Sequence, residues 1–293
     1  MNKFIFAFCF FYLLQSNAQT AQQQFDATKM EYKGSKTEQL KMLMRKPLTG
    51  GNIEKSIPTI DANFIVLINS QLSIDKDHLK NYLITNKIDN TSVGGSIDDP
   101  VSNIDLNGKK VYAKYFVIHD VSSPEYENNF PGNINDDTWK KNNPQNHQSD
   151  INCHLLITRT GKVRQYHNFS EGWRATKFES KILGTPSRGL FLHFELVQPR
   201  VYPPGKKGSA QKAPTPGFTD AQYKQLALSY VCASVRKGEW LIPAFHICID
   251  EKIKYFDKKE DKWIEDNHDD PQNFENNKFT DEVLMLISKL AVN

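Results

Sequence analysis

Apolar positions fall into two regimes along the chain. Residues 19 to about 60 mix Gln, Lys, Thr and Met with little periodicity, which predicts a poorly ordered or loosely docked leader. The run Phe64-Ile65-Val66-Leu67-Ile68 predicts a buried strand. Beyond it, Ser73 is placed to cap a short helix carrying Leu79, Tyr82 and Leu83. Asn90 to Pro100, with Gly94-Gly95 and Asp98-Asp99-Pro100, predicts a turn-rich connector and a soft boundary.

From Val111 onward short apolar stretches alternate with loops and a few helical patterns. The expected strands are Tyr115–His119, His154–Ile157 paired through Thr160-Gly161 with Val163–Tyr166, Leu190–Val197, and Phe245–Ile249. A helix starts at Thr219, whose pairing with Gln222 is a capping box, and runs over Tyr223, Leu226, Ala227, Tyr230 and Val231 to Gly238. A second follows Thr280, with Val283, Leu286, Ile287 and Leu290 on one face. This order predicts an α/β (α+β mixed) fold, a central mixed β-sheet flanked by helices with an N-terminal extension. The expected division is residues 1–18, 19–110 and 111–293.

At the start, Lys3 precedes an apolar run from Phe4 to Leu14 and the small, polar stretch Gln15-Ser16-Asn17-Ala18. That is a signal peptide, too short to span a bilayer, with cleavage expected near Ala18. Cys9 lies inside the apolar run, too early to carry a lipid. The expectation is an exported protein, periplasmic or secreted, with no membrane anchor and monomeric. Losing residues 1–18 removes Lys3 and changes 37 basic against 34 acidic residues to 36 against 34. So small an excess argues against nucleic acid as a partner. Cys153, Cys232 and Cys248 remain, enough for one disulfide and one free thiol or for three buried thiols.

Histidines end or interrupt the predicted strands. His119 closes Val117-Ile118-His119, His246 follows Phe245, and His268 opens His268-Asp269-Asp270-Pro271. Two imidazoles, one carboxylate and an open fourth position form the donor set of a catalytic zinc. No His-Glu-x-x-His helix, the mark of a common zinc peptidase class, occurs.

Several segments match a known family in order. They are Phe116-Val117-Ile118-His119, Cys153-His154-Leu155-Leu156-Ile157 through Gly161-Lys162-Val163-Arg164-Gln165, Gly172-Trp173, Phe194-Glu195-Leu196, Phe218-Thr219-Asp220-Ala221-Gln222-Tyr223 and Asp270-Pro271. Over roughly residues 111–279 the chain resembles the zinc-dependent N-acetylmuramoyl-L-alanine amidases that share the fold of the peptidoglycan recognition proteins. The resemblance implies His119, His246 and Asp270 as Zn2+ ligands and Glu195 as the catalytic carboxylate. It places His268 where many members carry a lysine, and Trp173 and Arg174 beside substrate. The implied reaction is hydrolysis of the amide between N-acetylmuramic acid and L-alanine in peptidoglycan or a muropeptide. A binding protein on the same fold that does not cut, and an amidase directed at other bacteria, are the alternatives.

The chain departs from the family pattern in five places. Trp173-Arg174-Ala175-Thr176 replaces the family's Trp-His-Ala-Gly, and His193 stands where a glycine precedes the glutamate. Alternation puts His193 on the face of Glu195, either entering the cleft as an extra proton carrier or packing against a neighbouring loop. Residues 252–267 form a charged hairpin inserted between His246 and Asp270, tolerable if both ends return to one place. Two loops look like additions facing substrate: Pro124 to Asp150, and Arg200 to Gly217 with Lys206, Lys207 and Lys212. His154 is expected to be structural, and Cys248, two after His246, is a possible rival ligand.

Overall fold

The structure, a computed structural model, describes residues 20–102, 108, 110–147, 153–206 and 211–291. The amino-terminal apolar run, Cys9, the cleavage point and Lys207 lie outside the described residues. Among those described, no helix is long and apolar enough to cross a membrane.

A five-stranded mixed sheet organises the chain. Its strands are β1 (Tyr115–Asp120), β2 (Leu155–Ile157), β3 (Val163–Gln165), β4 (Phe191–Leu196) and β5 (Ile242–Phe245), in the order β5-β1-β4-β2-β3. All neighbours are parallel except β2 and β3, the antiparallel hairpin predicted around Thr160-Gly161. Every residue of β1 is buried, which is why Tyr-Phe-Val-Ile reads as an unbroken apolar run.

The helices are α1 (Lys36–Leu43), α2 (Ala62–Asn69), α3 (Lys76–Thr85), α4 (Asp220–Lys237), the single turn α5 (His246–Ile249) and α6 (Asn276–Ala291), and α4 and α6 pack on the sheet face that carries Phe116. Phe116 of β1 stacks on Phe194 of β4 at 3.7 Å and meets Tyr230 of α4 at 5.3 Å and Phe279 of α6 at 6.4 Å. Thr219 and Gln222 make the expected capping box, and Gly238 ends α4 with φ +82°, a left-handed conformation that glycine adopts without strain.

The opposite face carries Tyr115, Val117 and His119 of β1 and Phe191, His193 and Glu195 of β4, because side chains alternate along a strand. The amino-terminal segment closes over part of it. Tyr115 Oη accepts from Tyr32 N at 2.8 Å and donates to Gln39 Oε1 at 3.0 Å, all buried. Tyr32, Leu40, Leu43 and Met44 belong to the main core. The loose docking expected of this leader is therefore corrected: sparse apolar residues without period still bury when each meets a ready aromatic surface. Further along, Gly50 N donates to Asp269 Oδ2 at 3.1 Å, so the turn at Thr49–Gly51 rests on the loop before Asp270.

Other expectations also change. Residues 64–68 form part of α2, not a strand: Asp61 caps it, Phe64 and Ile68 are buried one turn apart, and Val66 is 69% exposed. A five-residue apolar run carries no signal to separate strand from helix. Asp75, not Ser73, caps α3, accepting from Asp77 N and His78 N. Phe245–Ile249 is not one strand, because β5 stops at Phe245 and α5 follows. Cys153, Cys232 and Cys248 are all buried and free.

Tyr115→Phe tests the docked segment. It leaves the buried Tyr32 N–H without its acceptor, so the protein should lose about 1–3 kcal/mol, read as a lower denaturant midpoint at unchanged slope.

Candidate metal centre and cleft

Parallel strands bring their carboxyl ends to one edge, where an open α/β sheet offers a crevice. At that edge β1 pairs with β4 so that His119 lies opposite Glu195, and β5 pairs with β1 so that Phe245 lies opposite Ile118. His246 therefore emerges beside His119. Residues 254–257 and 262–265 pair antiparallel as the expected inserted hairpin, and its ends do return. Asp270 Oδ2 lies 2.9 Å from His246 Nδ1 and 3.7 Å from His119 Nδ1.

His119, His246 and Asp270 are buried and could hold a metal, their ligand atoms lying within 4.8 Å of one another. The surrounding bonds leave suitable donors facing inward. His246 Nε2 is engaged by Asp250 Oδ2 at 2.9 Å, which leaves Nδ1 toward the centre. His119 Nδ1 is 4.0 Å from Glu195 Oε1, beyond hydrogen-bond range. Asp270 Oδ1 and Glu195 Oε2 are buried without a partner. Orphaned acceptors in a buried polar cluster cost free energy unless a cation or water meets them, and two imidazoles with one carboxylate suit zinc.

The electrostatics prepare His119 and Asp270 for that use and leave His246 a proton to lose. Burial, with His246 and His193 nearby, drives His119 well below the ordinary imidazole range, so it is neutral and able to ligate. Burial also disfavours charge on His246, but the Asp270 and Asp250 carboxylates outweigh it and hold the imidazolium well above that range. Burial works against ionised Asp270, yet His246 and the other imidazoles keep it below the usual carboxylate range. Burial first, and then the charge of Asp270, push Glu195 well above it.

Behind the centre, Asp120 and Arg200 form a fully buried pair with both Asp120 oxygens 2.7 Å from Arg200 Nη2. Asp120 N donates to Asp270 Oδ2 at 3.3 Å, and Asp120 Oδ2 accepts from Gln272 N at 3.1 Å. These bonds tie Asp120 to the Asp270 side chain and to the backbone two residues beyond it.

The centre opens into a cleft of about 670 Å³ bordered by Lys141, His147, Ala175, Lys177 and His268. His268 stands at the rim, 4.6 Å ring to ring from His246, with Nδ1 held by Asp266 Oδ1 at 2.7 Å. Trp173 is half-buried and stacks on His167 at 3.8 Å. Neither it nor Arg174 borders the cleft, which takes Ala175 from that segment. His193 packs within the fold, fully buried, and not in the cleft. His154 uses both ring nitrogens structurally, Nε2 on Glu171 O at 3.1 Å and Nδ1 accepting from His193 N at 3.0 Å. Cys248 Sγ donates to Arg45 O and does not join the clustered ligand atoms of His119, His246 and Asp270. Of the two added loops, the first supplies Lys141 and His147, while Lys206 and Lys212 of the second do not border the cleft.

Sequence reasoning missed Asp250, Lys141, His147 and Lys177. Asp250 had a signal, since it lies four after His246 and would share its face once residues 246–249 are helical. The others had none, because a lysine in a loop carries no period.

No protein-family model matches the chain, and no curated protein matches it significantly. A solved structure described as a selenomethionine AmpD derivative aligns at 18% identity, over 65% of this chain and 97% of that chain, with a TM-score of 0.37. So remote a likeness leaves function to be argued from the site.

One pH dependence follows. His246 keeps its proton above the ordinary imidazole value, and a metal taking Nδ1 must displace it. Zinc affinity should therefore rise from about pH 6 to about pH 8, measured by competition with a chelator at each pH. A flat profile would contradict the assignment of His246.

Proposed function

We propose that the chain is an exported, zinc-dependent amidase that hydrolyses the amide between N-acetylmuramic acid and L-alanine in peptidoglycan or muropeptides. The observation that carries this reading is the meeting of His119, His246 and Asp270 beside Glu195 at the floor of an open cleft. The ordered resemblance of residues 111–279 supplies the substrate bond.

Zinc bound there would polarise the scissile carbonyl and lower the pKa of a bound water from 15.7 to about 7. Glu195 takes the proton of the attacking water and delivers it to the departing amine, a role that suits a half-buried carboxyl with a raised proton affinity and one unpartnered oxygen. His268, oriented by Asp266, donates a hydrogen bond to the developing oxyanion from the rim. Lys141, Lys177 and His268 give the cleft a basic border suited to the carboxylates of a peptide stem.

Glu195→Gln should keep zinc and lower turnover of a muropeptide by about 10²–10⁴, with products resolved by mass spectrometry of a cell-wall digest. Loss of zinc with activity would instead make Glu195 a ligand. His268→Ala should lower turnover by about 10²–10³ and leave zinc bound. Unchanged turnover would leave His268 as a rim residue without a part in the chemistry.

A further inference from the structure

The two candidate ligand imidazoles are held from behind in different ways. His246 Nε2 reaches the Asp250 carboxylate directly. His119 Nε2 reaches another imidazole, His193 Nδ1, at 3.0 Å, and His193 Nε2 in turn lies 3.1 Å from Glu179 Oε2, within ion-pair range though not aligned as a hydrogen bond. His193 and Glu179 are fully buried, and His119 is 2% exposed.

Only one placement of protons serves a metal at His119 Nδ1. That nitrogen must present its lone pair, so the proton sits on Nε2 and is donated to His193. His193 Nδ1 must then be bare, which puts the His193 proton on Nε2, facing Glu179. The row runs in a single direction, from the metal position through two imidazoles to a carboxylate.

Glu179 is fixed at the end of it. Its Oε2 accepts from Ala175 N and Thr176 N, each at 3.1 Å, and from Thr176 Oγ1 at 3.0 Å. The next two amides of the same turn, Lys177 N and Phe178 N, donate to Asp250 at 2.7 and 2.8 Å. One turn, residues 175–179, thus anchors the carboxylates behind both histidines. Glu179 Oε1 is buried without a partner, so this carboxylate is not retained because its own bonds are complete. A buried charge with an unmet oxygen costs stability that an apolar side chain would not.

We propose that Glu179, acting through His193, is a positioning residue for the metal: it sets the tautomer and ring orientation of His119 and so the affinity of the centre. The inference rests on the reading of His119 as a ligand. Carboxylates behind metal-binding histidines typically change affinity by about 10–100-fold when removed. Here the effect crosses an intervening imidazole.

The test is a double-mutant cycle on Zn2+ affinity, measured with the full chain by competition with a chromophoric chelator, and on the Co2+ absorption spectrum. Glu179→Gln keeps the shape and the accepting oxygen, and should weaken Zn2+ binding by about tenfold. His193→Phe strands the His119 Nε2–H and should weaken it by about 10–100-fold with an altered Co2+ spectrum. His193→Asn, whose Oδ1 can stand where Nδ1 stood, should recover most of the affinity. Adding Glu179→Gln to His193→Phe should cost nothing more, since its path is already cut. If His193→Phe does not fold, Glu179→Gln and His193→Asn still decide. Wild-type affinity in Glu179→Gln, independent effects in the double variant, or losses explained by a lowered metal-free melting temperature each overturn the proposal. No zinc on the wild type sinks both this inference and the proposed function, whereas inactivity on muropeptides with the affinities as expected sinks the function alone.

Discussion

In-register parallel pairing of β1 with β4 puts His119 beside Glu195 and Val117 beside His193, and the chemistry of the molecule depends on that register. A slip of one residue in either strand would turn its own member of the pair, His119 or Glu195, into the face where Phe116 and Phe194 now stack. The aromatic stack on one side therefore guards the polar constellation on the other. Packing energy that has nothing to do with metal holds the two strands in the single alignment at which His119 and Glu195 meet.

The centre concentrates carboxylates in a small buried volume: Asp120, Asp250 and Asp270 with Glu179 and Glu195. Arg200 compensates Asp120 directly, and imidazoles meet Asp250, Asp270 and Glu179. Glu195 has no such cation within bonding distance, and burial together with the charge of Asp270 raises its affinity for a proton. A cluster with so many carboxylates and few cations is one that a divalent cation would suit.

Much of this was legible in the sequence and some was not, for physical reasons. The buried parallel strands announced themselves as apolar runs ending in a histidine, and the capping box at Thr219 and Gln222 fixed the start of α4. The pattern of histidines pointed to His119, His246 and His268, and the set His119, His246 and Asp270 was named through the ordered resemblance of residues 111–279. The short runs at residues 64–68 and 245–249 misled, since neither is long enough for its period to appear. Glu179 was invisible: it lies between Lys177 and Ser180 in a polar stretch, and only the fold carries it beneath β4 to face His193. Tyr32 and Leu40 were passed over because isolated apolar residues gain meaning only from the surface that receives them.

The amino-terminal segment spans nearly the whole chain to find its partners. Gln22 bonds to Ile249 across 227 positions, and Gly50 bonds to Asp269 across 219. Such closures are slow, because chain entropy is lost before the contact is gained. On a chain made from its amino end, Tyr32, Leu40 and Leu43 must wait, uncovered, until β1 and then the loop before Asp270 have been synthesised. The centre is thus among the last parts of the molecule to be completed, and a chain stopped short of residue 270 would carry His119, Glu195 and His246 without the carboxylate that completes their cluster.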